Sequence, residues 1–276
     1  MTVSPEVALA RLLLAGTKPE AIDDPALRAL LRTHRRTIAR MRAMLAGMDH
    51  AAPADVASIA ARFDRAVRLA PEASVAAYSL GDPAILAAAT AELVGWLRAE
   101  HLVPPGSDVL DLGCGIGRVA AALAPLCRSV LGVDVAAGMI AEARRRHAAP
   151  NLSFATIASD GLAGLPAQGF DLVLAVDVFP YLVQAGVAAR HVADAARVLR
   201  PGGHLAIFNL SYRGPEADRA DAARWAADQG LGLRLAGAAA FTLWDATAFL
   251  LAKPSTARPT KAESNDPANT AAFSSS

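Results

Sequence analysis

The sequence predicts an α/β protein with a doubly wound, mostly parallel sheet of seven strands, preceded by an N-terminal cap of helices. Two observations predict this class. Between residues 109 and 209, short apolar runs that end at or near an acid alternate with helical segments, which is the pattern of β-α-β units. Before residue 78 the chain shows only helical periodicity, and Ser-Pro or Asp-Pro pairs mark helix starts.

The composition describes a globular protein of 276 residues, of which 54% are hydrophobic and 19% charged, long enough to bury a sizeable core. A formal net charge of +1 gives no general attraction to nucleic acid or anionic lipid. Cys114 and Cys127 cannot build a disulfide framework, and neither has a Cys or His neighbour at zinc-ligand spacing. We therefore expect a reducing, cytoplasmic location and no metal site.

The sequence also lacks the usual signals for a membrane. Met1 to Pro5 carry no basic residue, and Arg11 interrupts the first apolar run, so a signal peptide is not predicted. No apolar stretch reaches the roughly 18 residues that a membrane span needs. We expect a soluble protein without a membrane partner.

The N-terminal region is predicted to be helical. Ser4-Pro5 begins a short helix that stops at Gly16, and Asp24-Pro25 begins one continuous helix over 25–48. His34 lies on the apolar seam of that helix, where we interpret it as a packed histidine. The other faces carry Arg28, Arg32, Arg35, Arg36, Arg40 and Arg42. This pattern favours a solvated face over a nucleic-acid surface, and a homodimer through these helices stays open.

Two further helices and a tail complete the predicted organisation. Asp55 to Leu69 predicts a helix stopped by Pro71, and Asp82-Pro83 begins another that runs to about His101. The domain boundaries follow: 1–77 is a helical cap and 78–253 the core domain. Residues 254–276 are rich in Pro, Ser, Thr, Ala and Asn, which predicts a disordered tail.

The strands of the core domain are predicted from the apolar runs. They cover residues 109–112, 129–134, 152–156, 170–176, 204–209, 231–235 and 243–251. Helices are predicted between them, from residue 118 onward and over 137–147, 187–199 and 216–229. Arg200-Pro-Gly-Gly203 is predicted as a turn that leads into the fifth strand.

One stretch, 109–119, organises the chain. Its apolar run stops at Asp111 and turns through Gly113, Gly115 and Gly117 into a helix. A strand, a glycine loop and a helix N-terminus form a nucleotide-type pocket. A dinucleotide fingerprint spaces its glycines one residue further apart, with no acid against the pyrophosphate. A carboxylate at position 111 repels a phosphate and suits an ammonium group.

At these residues the sequence resembles the class I S-adenosylmethionine-dependent methyltransferases, whose first motif is an acid followed by Gly-x-Gly-x-Gly. The resemblance extends over about 78–253. It implies a Rossmann-like methyltransferase fold, S-adenosylmethionine as cofactor, and methyl transfer to a small-molecule acceptor. The alternatives are a nicotinamide-dependent oxidoreductase and a non-catalytic, cofactor-binding partner protein.

The resemblance also implies roles for the acids that recur at the predicted strand ends. The methionine end of the cofactor would meet Asp111, Gly113, Cys114, Gly115 and Gly117, although Cys114 is also interpreted as a small filler of the loop. The ribose would meet Asp134 and Val135, and the adenine would meet Asp160 and Gly161. Asp177, which ends the fourth strand, completes the set. Taken alone, Asp134 or Asp160 would equally well cap the next helix.

Methyl transfer from a sulfonium is an in-line displacement, so alignment matters most and a base is needed only for some acceptors. The candidate groups that follow strands four and five are Asp177, Tyr181, Asn209, Tyr212 and Arg213. The segment from Asp177 to Tyr181 departs from the Asp/Asn-Pro-Pro-aromatic motif of nucleic-acid methyltransferases, because Val178 and Phe179 precede Pro180. No Asp-Asn pair follows strand five to hold a metal. Tyr78 is either a cover for the cofactor or a core residue.

Overall fold

The computed structural model describes residues 4–46, 55–158 and 161–255. The predicted tail therefore lies outside the described residues from position 256 onward. The strands of the described chain are β1 (Asp108–Leu112), β2 (Ser129–Asp134), β3 (Leu152–Thr156), β4 (Phe170–Val176), β5 (Leu199–Phe208), β6 (Gly232–Ala239) and β7 (Thr247–Ala252).

These strands form one seven-stranded sheet in the order β3-β2-β1-β4-β5-β7-β6. The pairs among β1 to β5 are parallel, whereas β7 runs antiparallel to both β5 and β6. Because β1 pairs with β2 on one side and β4 on the other, the winding reverses beside β1. This reversal is the switch point at which open α/β sheets bind ligands. The predicted fold class is confirmed.

Helices precede the first strand in the sequence and also connect the strands. In the N-terminal region they are α1 (Pro5–Leu14), α2 (Pro25–Thr33), α3 (Arg35–Leu45), α4 (Val56–Leu69), α5 (Pro71–Val75) and α6 (Pro83–Ala99). Between the strands they are α7 (Arg118–Leu123), α8 (Ala137–Arg146), α9 (Phe179–Gln184), α10 (Ala188–Val198) and α11 (Pro215–Asp228). None of the described helices combines the length and apolarity of a membrane span.

Helix starts follow the predicted caps. The side chains of Ser4, Asp24, Asp55 and Asp82 each accept a backbone N–H in the first turn of their helix, which satisfies donors that a helix leaves open. The prediction of a single continuous helix over 25–48 is wrong. It is two helices that meet at His34, whose backbone leaves helical geometry (φ −101°, ψ 20°) while its Nδ1 lies 3.1 Å from Asp82 Oδ2.

The arginines of this region lie at the surface as predicted, with Arg32, Arg36 and Arg40 exposed. Met48, the last residue of the predicted seam, is outside the described residues. Apolar side chains of the same two helices point inward, where Met41 is fully buried. The basic face is therefore exposed, and its interpretation as a solvated face stays a prediction.

Two further predictions need correction, and one helix was not predicted. Residues 200–203 are part of β5 and not a turn, because the Gly202 N–H donates to Lys253 O (3.0 Å) and the Lys253 N–H donates to Gly203 O (2.8 Å). The helix α9 was not predicted, although Pro180 stands in its first turn, a position that proline tolerates. The last two strands were misplaced, since residues 240–246 between them form an aromatic-rich connection.

Two clusters of buried apolar side chains cover the two faces of the sheet. One of them includes Leu9 and Met41 of the N-terminal helices together with Leu174 of β4. Aromatic rings join the same regions, because Tyr78 stacks on Trp244 at 5.7 Å between ring centroids. The N-terminal helices thus share a core with the sheet, close to the end at which β1 and β4 terminate.

Candidate active site

A cavity of about 380 Å³ opens at the carboxyl ends of β1, β2, β4 and β5. The acids predicted after three of these strands, Asp111, Asp134 and Asp177, all line it. One wall comes from the glycine loop between β1 and α7, and another from the N-terminal helices. The structure therefore brings the strand-end acids into one site, as expected for the switch point of a doubly wound sheet.

Asp111 lies near the end of β1 and is 1% exposed. Its Oδ2 is buried without a hydrogen-bond partner in the described chain. Burial raises the pKa of Asp111 to about 7, partly offset by the positive charge of Arg118. A buried carboxylate oxygen that lacks a donor is costly unless a ligand supplies one. Asp111 is thus poised to accept a hydrogen bond from a cationic group in the cavity.

The glycine loop is anchored to the neighbouring strand. The N–H groups of Gly113 and Cys114 both donate to Val133 O, at 2.8 and 3.0 Å. The Gly115 N–H donates to Asp134 Oδ2 at 2.9 Å. Cys114 is 7% exposed, and burial raises the pKa of its thiol, in keeping with a filler of the loop. The loop backbone is therefore held in place by β2 and by Asp134.

Gly115 shows why this loop needs glycine. Its φ is +53°, and a Cβ at this position would lie 2.5 Å from Cγ1 of Val75. Val75 ends α5, so the N-terminal region presses directly on the loop. A side chain at position 115 would push the two apart. The close approach forms a cradle that only a residue without a Cβ can line.

Asp134 ends β2 and accepts two backbone hydrogen bonds. Besides the bond from Gly115, its Oδ1 accepts from Ala136 N–H at 2.9 Å. Burial raises the pKa of Asp134 to about 6, and the nearby charge of Asp64 contributes. Val135 lines the cavity beside it. Each carboxylate oxygen keeps a further lone pair for a hydroxyl donor.

Asp64 performs the capping role that was considered for Asp134. It belongs to α4, and its Oδ1 accepts the Gly138 N–H in the first turn of α8 at 2.6 Å. An acid at a helix N-terminus compensates the open N–H groups there. The N-terminal region is thus attached to the sheet domain beside Asp134.

The predicted adenine residues are described only in part. Asp160 lies outside the described residues. Gly161 is described, and a Cβ on it would lie 2.6 Å from Asp194 Oδ2. The cavity is also lined by Val135, Met139, Ile157, Leu182 and His191. His191 was not identified from the sequence, because a histidine within a helix has no motif that marks it.

Asp177 and Asn209 form a pair at the ends of β4 and β5. Both have left-handed backbone conformations, with φ of 56° and 62°, which Asp and Asn tolerate better than most residues. Asn209 Nδ2 donates to Asp177 Oδ1 at 2.6 Å. Desolvation in the cavity raises the pKa of Asp177 to about 7, although the hydrogen bond from Asn209 acts in the opposite direction.

Of the other predicted groups, Tyr181 and Tyr212 line the cavity and Arg213 does not. The Tyr181 ring meets the Phe63 ring edge-on at 4.9 Å between centroids. Desolvation raises the pKa of Tyr181 to about 12, so its hydroxyl keeps its proton at neutral pH. Tyr212 is 66% exposed at the rim, and Arg213 is ion-paired with Asp221.

Arg118, the first residue of α7, was not predicted as a site residue but also lines the cavity. Its guanidinium donates to Thr90 Oγ1 at 2.8 Å and to the Tyr78 hydroxyl at 3.2 Å. Tyr78 lines the cavity too, and it is only 7% exposed. Both interpretations of Tyr78 therefore apply, since it is a packed residue that also forms part of the wall.

The remaining wall is apolar and comes from α1, α3 and α4. Its side chains are Val7, Ala10, Leu14, Met44, Leu45, Ile59 and Phe63. At the rim, Arg11 pairs with Asp245 at 2.7 Å. The same cavity is lined by the Asp177–Asn209 pair and by the glycine loop. The cavity therefore combines polar groups at the strand ends with an apolar wall from the N-terminal helices.

Fold and site together define the class of protein: a doubly wound α/β protein with a cavity at the switch point of its sheet, lined by an acidic glycine loop. A family described as methyltransferase domain matches residues 109–203. An S-adenosyl-L-methionine-dependent Diels-Alderase of Talaromyces variabilis is 33% identical over 134 residues, or 46% of this chain and 44% of that protein. A ubiquinone biosynthesis O-methyltransferase of Albidiferax ferrireducens is 31% identical over 127 residues, or 44% and 48%.

The chain thus spans less than half the length of these relatives. Among solved structures, phosphoethanolamine N-methyltransferase 1 of Haemonchus contortus, in complex with phosphoethanolamine and S-adenosylhomocysteine, superposes with a TM-score of 0.54. It is 16% identical, and the match covers 73% of this chain and 49% of that one, which shows a shared fold. Over residues 109–203 this chain is therefore similar to a methyltransferase domain.

Proposed function

We propose that this protein transfers a methyl group from S-adenosylmethionine to a small-molecule acceptor. The observation that carries the proposal is the buried Oδ2 of Asp111, which has no hydrogen-bond partner in the described chain and lies beside the glycine loop. The ammonium group of the cofactor supplies the donor that this oxygen lacks. A phosphate at the same place would meet like charge, which argues against a dinucleotide.

Other predicted residues would hold further parts of the cofactor. Asp134 keeps lone pairs on both carboxylate oxygens, which suits the two ribose hydroxyls. Gly113, Gly115 and Gly117 would let the cofactor approach the loop backbone closely. When bound, S-adenosylmethionine supplies a methyl group activated by its sulfonium, which an acceptor atom displaces in line.

Asp177 is our candidate general base. Its carboxylate lines the cavity and is oriented by the hydrogen bond from Asn209. A pKa of about 7 allows it to take a proton from an acceptor hydroxyl or amine near neutral pH. Tyr181 keeps its proton under these conditions, so its hydroxyl would donate a hydrogen bond to the acceptor.

The N-terminal residues 1–77 would form the cap of the site, and residues 78–253 the methyltransferase core. The described part of the cap contributes the apolar wall of the cavity. Such a wall excludes water and selects the acceptor by shape and apolar contact. Selectivity for the acceptor would therefore reside in the cap.

Isothermal calorimetry with S-adenosylhomocysteine tests the proposal. We expect binding by the wild type, and a loss of about a hundredfold in Asp111→Ala, because a buried charge-assisted hydrogen bond is removed. Asp134→Ala should weaken binding as well. Asp228→Ala, at an exposed acid at the end of α11, is the matched control and should bind like the wild type. Absence of binding by the wild type, or unchanged binding after Asp111→Ala, would refute the proposal.

A second candidate rests on the relative named as a Diels-Alderase. On this second hypothesis, the protein binds S-adenosylmethionine but does not transfer its methyl group. Incubation of acceptors with methyl-labelled S-adenosylmethionine separates the two, since only a methyltransferase moves the label. A titration with NADH checks the oxidoreductase alternative, for which we expect no binding.

A further inference from the structure

The helices α2 and α3 carry a concentrated positive charge. Residues 25–45 contain six arginines and no acidic residue, whereas the whole chain has a formal net charge of +1. The remaining residues therefore carry a formal charge of −5. The net charge of the whole chain does not reflect this local excess. Such an uneven distribution is typical of a protein with an anionic partner.

Five of these arginines are exposed. Arg28 pairs with Asp23 at 2.6 Å, but no ion pair joins the other five to a described residue. The five form the basic face and are Arg32, Arg35, Arg36, Arg40 and Arg42. Arginine keeps its charge at physiological pH, so a partner of opposite charge relieves the repulsion among them. A second copy related by twofold symmetry would instead place arginine against arginine.

The basic face adjoins the opening of the cavity. Leu45 of α3 lines the cavity, and Arg42 precedes it by three residues, so the two are neighbours on the helix surface. Arg11 and Leu14 have the same spacing on α1, and both line the cavity. Leu14 is nevertheless 50% exposed. Positive and apolar side chains therefore lie together at the opening, on two helices.

The exposed leucine indicates which kind of anion fits this surface. A nucleic acid offers phosphates to arginines but no apolar surface to Leu14. An anionic bilayer accepts both kinds of side chain, because its headgroups attract arginine and its acyl boundary takes up apolar groups. The apolar wall of the cavity also suits a compound that dissolves in lipid. None of the described helices spans a membrane, so the contact would be peripheral.

We propose that the basic face binds the surface of an anionic lipid bilayer, and that an apolar acceptor enters the cavity from this bilayer. The second part rests on the proposed function, whereas the first part does not. Each arginine near an anionic bilayer strengthens binding roughly fivefold. Several exposed arginines together therefore hold the chain at the surface without a membrane-spanning segment.

Flotation of the full chain with lipid vesicles tests the proposal. Vesicles of phosphatidylcholine with about 30% phosphatidylglycerol should bind the chain, and vesicles of phosphatidylcholine alone should not. The triple variant Arg36→Gln, Arg40→Gln, Arg42→Gln should bind the anionic vesicles about a hundredfold more weakly. Binding by the wild type should fall when NaCl is raised from about 0.05 M to about 0.5 M, because salt screens these charges.

The matched control removes the same charge from exposed arginines outside the cap, by Arg98→Gln, Arg190→Gln and Arg234→Gln. It should bind vesicles like the wild type. Leu14→Ser should bind vesicles about tenfold more weakly, and it should keep wild-type retention on heparin, a polyanion without an apolar phase.

No binding of the wild type to anionic vesicles, or equal loss in the two triple variants, would overturn the proposal. Wild-type vesicle binding by Leu14→Ser would also overturn it, because the surface would then suit a nucleic acid or an acidic protein. Both triple variants should bind S-adenosylhomocysteine like the wild type. If the wild type bound vesicles but not S-adenosylhomocysteine, the proposed function would fail and the lipid surface would remain.

Discussion

The two ends of the cavity are built on different principles. At the end proposed to bind the cofactor, called the cofactor end, the polar groups come from strand ends and from the glycine loop. At the end proposed to bind the acceptor, called the acceptor end, the wall consists mainly of apolar side chains from α1, α3 and α4. The first end suits one ligand with fixed donors, and the second suits a class of ligands with a given shape. Substitutions at the cofactor end should therefore weaken binding of the cofactor. Substitutions at the acceptor end should change which acceptor binds.

The two ends meet at Val75. This residue ends α5 in the N-terminal region, and its Cγ1 lies against Gly115 in the loop. Asp64 of α4 adds a second connection through Gly138 of α8. The cap is thus fastened to the cofactor end at two points, and the geometry of the loop depends on both regions.

The largest effect is expected from Gly115→Ala. The new Cβ would lie 2.5 Å from Val75 Cγ1 on a backbone with φ +53°. Overpacking of this kind typically costs about 1–3 kcal/mol, and the left-handed conformation about 1–2 kcal/mol more. We expect the affinity for S-adenosylhomocysteine, measured by calorimetry, to fall about a hundredfold.

Val75→Ala in the same chain should restore part of that affinity, because it removes the clash and leaves only the backbone strain. Gly95→Ala is the control. Gly95 is an exposed residue of α6, where a Cβ meets nothing within 4 Å, so alanine should stabilise the protein by about 0.5–1 kcal/mol. Wild-type affinity in Gly115→Ala would show that the two regions do not meet as described.

Phe63→Ala examines the acceptor end. The half-buried Phe63 ring packs edge-on against Tyr181, and its loss should lower the free energy of unfolding by about 2 kcal/mol. Binding of S-adenosylhomocysteine should change less than about threefold, because the Phe63 ring packs against Tyr181, which we assign to the acceptor. Denaturant unfolding and calorimetry measure the two quantities.

Leu69→Ala, at a residue of the same helix that is 46% exposed, should change stability by less than about 0.5 kcal/mol. If Phe63→Ala weakened S-adenosylhomocysteine as strongly as Gly115→Ala, the division of the cavity into two ends would be wrong. That outcome would indicate that the cap acts on both ligands as one unit.

The cofactor end was largely predictable from the sequence, since its chemistry is local. The acid and the glycines lie within one turn, and the strands that carry Asp134 and Asp177 are buried apolar runs with clear ends. Because β1, β2 and β4 are neighbours in the sheet, their carboxyl ends lie close together. Arg118 and His191 were not predicted as site residues, because an arginine or a histidine in a helix has many structural roles. Only the fold shows that their side chains line the cavity.

The acceptor end was not predictable in detail. Its residues come from helices far apart in the chain, and apolar periodicity indicates a buried face without saying what the face covers. The break at His34 has a similar origin. Local propensity favours one helix over 25–48, whereas a contact with Asp82, distant in sequence, accompanies the turn. Tertiary contacts of this kind leave no local pattern.

A further prediction concerns the pH dependence of binding at the cofactor end. Burial raises the pKa of Asp111 to about 7 in the protein without ligand, whereas binding of an ammonium group requires the carboxylate. Affinity for S-adenosylhomocysteine should therefore rise about tenfold from pH 6 to pH 8. Asp134, with a pKa of about 6, adds to the lower part of this range. Calorimetry across this range measures the change.

The same shift has the opposite sign for stability without ligand. A carboxyl whose pKa is higher in the folded than in the unfolded state contributes stability at low pH, and this contribution is lost as pH rises towards 7. Asp111→Asn cannot ionise, so it should show a flatter dependence of unfolding free energy on pH and a weaker pH dependence of binding. Phe63→Ala should keep the wild-type slope in both measurements. A slope unchanged in Asp111→Asn would show that this carboxyl is not the group that titrates, and the charge-based account of the cofactor end would fail.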